Sequence, residues 1–127
     1  MPKKNAATRV LIADDHTLFA EALEAILAGD DRIEVVGRAT NGAEAVDLAG
    51  SLDPDIVLMD ISMPVMDGIE ATARIRERKP GPCVLVLTGS NSPADVDAAR
   101  RAGPTGYVTK DRIAAELVAA ILDAVRG

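Results

Sequence analysis

The chain has 127 residues, of which 14 are basic and 20 acidic. Its net charge of −6 argues against a free-standing nucleic-acid-binding protein, which carries a basic face. Phe19 and Tyr107 are its only phenylalanine, tyrosine or tryptophan residues, too few for a base-stacking platform. The single cysteine, Cys83, excludes an internal disulfide and a cysteine-cluster zinc site.

No stretch of the sequence has the length of a membrane span. The longest apolar run covers residues 117–122, whereas a spanning helix needs about 20 apolar residues. Residues 1–8 are a polar segment without the apolar region of a secretory signal. We therefore expect a cytoplasmic protein without membrane contact, consisting of a flexible lead-in at residues 1–8 and one domain at residues 9–127.

Short aliphatic runs alternate with helical patterns along the chain. The runs predict strands at residues 9–13, 33–39, 55–59, 83–87 and 106–109. The first, third and fourth runs are almost continuously aliphatic, as expected of parallel strands covered on both faces. The alternation predicts an α/β fold in which a doubly wound, five-stranded parallel sheet lies between two layers of helices, a three-layer sandwich.

Helix signals occupy the intervening segments. Asn41 and Glu44 resemble a capping box that begins the second helix, the third helix covers about residues 69–78, and Ser92 begins the fourth. The first helix is predicted to end at Gly29, and its apolar stripe consists of Phe19, Ala22, Leu23, Ile26 and Leu27. The last helix begins near Asp111, and its apolar side consists of Ala114, Leu117, Val118, Ile121 and Val125.

Polar side chains follow the carboxyl ends of four predicted strands. They are Asp14, Asp15, Asp60, Thr88 and Lys110. Ligands of open α/β sheets bind at this edge, where the strand order reverses, and a 2-1-3-4-5 order would bring the three carboxylates together there. Because such carboxylates repel one another, a divalent cation such as Mg²⁺ is expected among them. A lysine and a hydroxyl beside the cation would bind a phosphoryl group.

In this order and spacing, the five residues resemble the receiver domain of two-component response regulators. Four motifs resemble the NarL/LuxR branch in particular: Asp-Asp-His at 14–16, Leu-Met-Asp at 58–60, Met-Pro-Val-Met-Asp-Gly at 63–68 and Gly-Tyr-Val-Thr-Lys-Asp at 106–111. The resemblance covers about residues 9–125 and implies the flavodoxin-like strand order 2-1-3-4-5. The sequence departs from the family pattern at Gly89-Ser90 and Pro104-Thr105, but neither departure removes a site residue.

The resemblance also implies a role for each site residue. Asp60 would accept a phosphoryl group from a sensor histidine kinase. Thr88 and Lys110 would bind its oxygens, and Tyr107 would turn inward as Thr88 moves toward the phosphate. The implied Mg²⁺ ligands are Asp14, Asp15, Asp60 and the backbone carbonyl of Ile61.

The implied function is a signalling switch that controls transcription. The domain would catalyse only its own phosphorylation and dephosphorylation, so it would not be an enzyme that processes a metabolite. Besides the kinase, the expected partner is a second copy of the chain after phosphorylation. We expect DNA contact only through an output domain outside this chain, which ends at Gly127.

Three other functions fit the residues less well. A pseudo-receiver that only binds proteins has no need of a carboxylate cluster with a lysine. A Mg²⁺-dependent phosphohydrolase would carry an Asp-x-Asp pair and a cap domain, whereas the first strand ends in Asp14-Asp15. A dinucleotide-binding enzyme would have Gly-x-Gly-x-x-Gly after that strand. His16 is interpreted as a surface residue at a helix start, and Asp67-Gly68 as a turn.

Overall fold

The computed structural model describes residues 7–61, 63, 66–78, 81–89, 97 and 106–126. Its strands are β1 (Thr8–Ala13), β2 (Ile33–Ala39), β3 (Ile56–Asp60), β4 (Cys83–Thr88) and β5 (Gly106–Thr109). Its helices are α1 (Thr17–Ala28), α2 (Gly42–Leu52), α3 (Gly68–Arg76) and α4 (Ile113–Arg126), and a 3₁₀ turn (Lys110–Arg112) precedes α4. Of the helix predicted to begin at Ser92, the described residues include only Asp97, which is helical, and residues 1–6 of the predicted lead-in lie outside them.

The strands form one parallel sheet in the order β2-β1-β3-β4-β5, as predicted. The chain therefore leaves β1 toward β2 on one side and returns to β3 on the other, so the order reverses between β1 and β3. Ala13 pairs with Met59, and Thr88 with Thr109. This register brings the carboxyl ends of β1, β3, β4 and β5 to the same edge.

The central strands bury side chains on both faces, which explains their continuous aliphatic sequences. On β1, Val10 and Ile12 belong to the hydrophobic cluster that includes side chains of α1 and α4. Leu11 and Ala13 belong to the cluster that includes side chains of α2 and α3. Because alternate residues on a strand point to opposite faces, a slip of one residue would exchange the two sets. The packing thus fixes the register on which the site depends.

Two helices differ from the predicted apolar stripes. Ala22 of α1 is exposed, whereas Ala20 is buried, because position 22 lies about 100° around the helix from Leu23. At the start of α4 the core residue is Ile113, and Ala114 is exposed. None of the helices in the described part of the chain is both long and apolar enough to cross a membrane.

Side-chain caps begin two helices. Asn41 Oδ1 accepts a hydrogen bond from the Glu44 N–H at 2.8 Å, and Glu44 Oε1 accepts one from the Thr40 N–H at 2.7 Å. The predicted capping box is thus present, with its return bond one residue earlier than usual. Asp67, interpreted as a simple turn residue, accepts from the Glu70 N–H at 2.9 Å and caps α3.

Gly68 allows α3 to begin directly against the end of β3. Its N–H donates to the Ile61 carbonyl at 3.0 Å, and its own carbonyl accepts from Thr72 Oγ1 at 2.7 Å. A Cβ atom at this position would overlap the backbone carbonyl of Asp60. The close approach therefore requires glycine and holds the segment after Asp60 in place.

We expect Gly68→Ala to destabilise the domain by about 1–3 kcal/mol, since the added methyl group must displace the backbone of β3. The measurement is a thermal melt of parent and variant. Gly29→Ala is the matched control, because a Cβ there meets nothing nearer than the Ile26 carbonyl at 3.7 Å. Equal changes in melting temperature for the two variants would show that the close approach of Gly68 to β3 does not determine the stability of the domain.

Candidate functional site

Three acidic side chains meet where β1 and β3 end. The Asp14 N–H donates to the Ala39 carbonyl at 2.9 Å, which holds the residue beside β2 directly after β1. Asp60 is the last residue of β3. One ligand atom from each of Asp14, Asp15, Asp60 and His16 lies within 4.8 Å of the others. The structure thus brings together the three predicted carboxylates and adds an imidazole.

Two of these carboxylates are buried. Asp14 is 3% exposed and Asp60 1% exposed, whereas Asp15 is exposed. Asp14 Oδ1 accepts the His16 N–H at 2.8 Å, but its buried Oδ2 has no hydrogen-bond partner among the residues that the structure describes. Leaving a buried acceptor unsatisfied is unfavourable. A cation in the cluster would bind this buried oxygen and replace the missing hydrogen bond, so the residues present fit a divalent metal ion.

Lys110 brings a positive charge to this cluster from the end of β5. Its Nζ lies 3.1 Å from Asp60 Oδ1 and 4.5 Å from the centre of the Phe19 ring. An ammonium over an aromatic face is attracted to the ring electrons. Phe19 of α1, predicted only as part of an apolar stripe, therefore also positions the lysine. The contact between Lys110 and Phe19 could not be predicted from local sequence, because the two residues are far apart in the chain.

Thr88 and Tyr107 lie on neighbouring strands. Thr88 ends β4 and is buried. Tyr107, on β5, pairs with Val86 and is 38% exposed. The structure therefore places the Thr88 hydroxyl at the same sheet edge as Asp60 and Lys110, while the Tyr107 side chain is on the surface.

The peptide of Ile61 is held on both sides. Its N–H donates to the Leu87 carbonyl at 3.1 Å, and its carbonyl accepts the Gly68 N–H at 3.0 Å. The carbonyl that was expected to bind a metal thus already has a hydrogen-bond partner. The next residue, Ser62, lies outside the described residues.

This geometry can be compared with known proteins. Residues 10–122 match the family model described as "Response regulator receiver domain". The chain is 35% identical over 127 residues to the nitrate/nitrite response regulator protein NarL of Escherichia coli strain K12, covering 100% of this chain and 58% of that protein. It is 42% identical over 119 residues to the transcriptional regulatory protein LiaR of Bacillus subtilis strain 168, covering 94% of this chain and 56% of that protein.

Solved structures are similar over nearly the whole chain. The signal receiver domain of the putative response regulator NarL from Mycobacterium tuberculosis superposes with a TM-score of 0.90 at 36% identity, covering 95% of this chain and 98% of that one. A LuxR-family two-component response regulator from Aurantimonas sp. SI85-9A1 has a TM-score of 0.89 at 35% identity, covering 96% and 87%.

The chain matches only part of each curated relative. It spans a little more than half the length of NarL and LiaR, both of which it matches over 94% or more of its own length. With the family match over residues 10–122 and the observed strand order, these similarities confirm the resemblance seen in the sequence. The chain belongs to the response regulator receiver domain family, with relatives of the NarL/LuxR type.

Proposed function

We propose that this chain is a phosphoacceptor domain that takes a phosphoryl group from a sensor histidine kinase onto Asp60. The main support for the proposal is the environment of the Asp60 carboxylate. It is 1% exposed, it lies 3.1 Å from the Lys110 ammonium, and it belongs to a cluster with Asp14 and Asp15. Membership in a family of signalling domains supports the same function.

The proposed step exchanges one phosphorus bond for another. An Asp60 oxygen attacks the phosphorus of a phosphohistidine, and the P–N bond breaks with its electron pair going to the imidazole nitrogen. The product is an acyl phosphate on Asp60. Lys110 binds one phosphoryl oxygen through its ammonium, and the Thr88 hydroxyl donates to another.

The acidic residues would hold the metal ion. Asp14, Asp15 and Asp60 supply the oxygen ligands that Mg²⁺ prefers, and when bound the ion neutralises charge on the transferring group. The Ile61 carbonyl accepts the Gly68 N–H but keeps a second lone pair, so it stays a candidate ligand for the ion. We therefore assign the metal site to the three carboxylates and the Ile61 carbonyl.

The switch and the partners are part of the same proposal. Attraction of the Thr88 hydroxyl to the phosphoryl group would leave room for Tyr107, now on the surface, to turn inward and change the face around β5. A second copy of the chain is a partner that we expect after phosphorylation. Control of transcription would pass through an output domain outside this chain, as the names of the longer curated relatives suggest. We propose a cytoplasmic location for the protein.

Phosphorylation should require Asp60 and should not require acidic residues that lie outside the metal site. We expect the parent chain to gain one phosphoryl group when incubated with phosphoramidate and Mg²⁺, as measured by intact mass. Asp60→Asn should gain none, since an amide is a poor nucleophile. Asp47→Asn, which changes an exposed carboxylate on α2, should label like the parent. Labelling of Asp60→Asn would refute the assignment, and an unlabelled parent would favour a protein-binding pseudo-receiver.

Mg²⁺ should stabilise the folded domain, because it binds a site that the unfolded chain lacks. At ten times its dissociation constant the expected gain is about 1.4 kcal/mol, read as a rise in melting temperature. Asp15→Asn should reduce that rise, and Asp47→Asn should leave it unchanged. A parent protein whose melting temperature does not respond to Mg²⁺ would remove the metal from the proposed function.

Lys110 should stabilise the metal-free domain through Asp60. We expect Lys110→Met to lower the free energy of unfolding by about 1–3 kcal/mol, because it leaves a buried carboxylate without its ammonium. Methionine keeps an unbranched apolar side chain of similar length, so the loss reports mainly the charge. In the Asp60→Asn background the same substitution should cost much less, as a double-mutant cycle would measure. Equal costs in both backgrounds would show that the ion pair does not stabilise the fold.

A further inference from the structure

His16 lies over the acidic cluster although its side chain is 67% exposed. Its Nδ1 is 3.4 Å from Asp14 Oδ1 and 3.3 Å from Asp15 Oδ1. The backbone N–H of His16 donates to Asp14 Oδ1, which folds residues 14–16 back toward the carboxylates. His16 is also the N-cap residue of α1, but its side chain makes no capping hydrogen bond. Capping the helix therefore does not explain the position of the imidazole.

The four side chains have the spacing of a ligand set. One ligand atom from each of Asp14, Asp15, His16 and Asp60 lies within 4.8 Å of the others. Two ligand atoms on opposite sides of an ion, each about 2.1 Å from it, are about 4.2 Å apart. The four ligand atoms would therefore need to move only slightly closer together to bind one cation. A second observation points the same way, because the fully buried Asp14 carboxylate has an oxygen without a hydrogen-bond partner in the described part of the chain.

We infer that His16 is a metal ligand at this site and that it makes the site selective for borderline cations such as Zn²⁺ over Mg²⁺. Imidazole nitrogen is a good ligand for Zn²⁺, whereas Mg²⁺ prefers oxygen and retains several waters. The imidazole should therefore strengthen the binding of Zn²⁺ and leave that of Mg²⁺ nearly unchanged. A transition-metal ion would then compete with Mg²⁺ for the carboxylates. This inference rests on the proposed function, since the two ions share one site.

The alternative is that His16 only pairs with the two carboxylates when no metal is bound. A bound ion would then displace the imidazole, and His16 would contribute nothing to metal affinity. The two possibilities differ in a directly measurable quantity, which is whether a nitrogen atom is bonded to the metal.

Pulsed electron paramagnetic resonance of Mn²⁺ bound to the tag-free chain tests this bond. His16 is the only histidine in the sequence, so nitrogen modulation from a directly bound imidazole can come from no other residue. We expect that modulation in the parent and its loss in His16→Asn. A parent spectrum that shows only oxygen ligands and water would overturn the inference.

Calorimetric titration with Zn²⁺ and Mg²⁺ tests the selectivity. Losing one ligand should weaken Zn²⁺ binding by about tenfold or more, whereas Mg²⁺ affinity should change by less than about twofold. Cys83→Ala is the control for zinc binding elsewhere, because Cys83 begins β4 at the end opposite the site. An equal loss for both cations, or no loss for Zn²⁺, would contradict the role of His16.

The outcomes also separate this inference from the proposed function. If the parent binds Mg²⁺ and is phosphorylated on Asp60, but His16→Asn keeps its full Zn²⁺ affinity, only the inference about His16 fails. If His16→Asn loses Zn²⁺ affinity and the parent cannot be phosphorylated, the metal site stands and the phosphoacceptor function fails. A parent that binds neither cation would overturn both the metal site and the role of His16.

Discussion

The carboxylates at the adjoining ends of β1 and β3 repel one another, and the other charges of the site offset this repulsion. Asp14 and Asp60 are almost completely buried, so water screens their charges poorly. The Lys110 ammonium at 3.1 Å from Asp60 offsets part of this repulsion, and the His16 imidazole lies beside Asp14 and Asp15. The cluster keeps more negative than positive charge even so. An added cation is therefore attracted to the cluster, and the proposed metal ion would reduce the repulsion among the three carboxylates.

The fold holds this unfavourable arrangement because the strands that carry it cannot shift. Side chains of β1 and β3 are buried on both faces, so a change of register would expose core residues and bury polar ones. The segment after Asp60 is held by two backbone hydrogen bonds at Ile61 and by the close approach of Gly68. Hydrophobic packing on both sides of the sheet thus stabilises a polar site that would destabilise the domain by itself.

The alternation of strands and helices could be predicted from local sequence, and the convergence of the carboxylates could be predicted once the family resemblance implied the strand order. Uninterrupted aliphatic runs indicate strands buried on both faces, and parallel strands bring their carboxyl ends to one edge, so residues such as Asp60 and Lys110 could be placed from their position after a strand. The side of a helix that faces the core was predicted less well, as Ala22 and Ala114 show. The contact of Lys110 with Phe19, the approach of His16 to the carboxylates and the hydrogen bond to the Ile61 carbonyl could not be predicted, since they depend on side-chain conformations and on the packing of distant segments.

The two contacts of Lys110 explain how one charge could serve both states of the proposed switch. In the unmodified domain the ammonium pairs with Asp60 Oδ1 and also lies over the Phe19 ring. Formation of an acyl phosphate would remove charge from the Asp60 carboxyl group and place it on the phosphoryl oxygens farther from β3. The flexible lysine stem can follow that charge, while the face of the Phe19 ring keeps a favourable contact that depends weakly on the exact position of the ammonium. In the proposed switch the charge partner of Lys110 would change from the Asp60 carboxylate to a phosphoryl oxygen, while the Phe19 ring on α1 would contact the ammonium in both states.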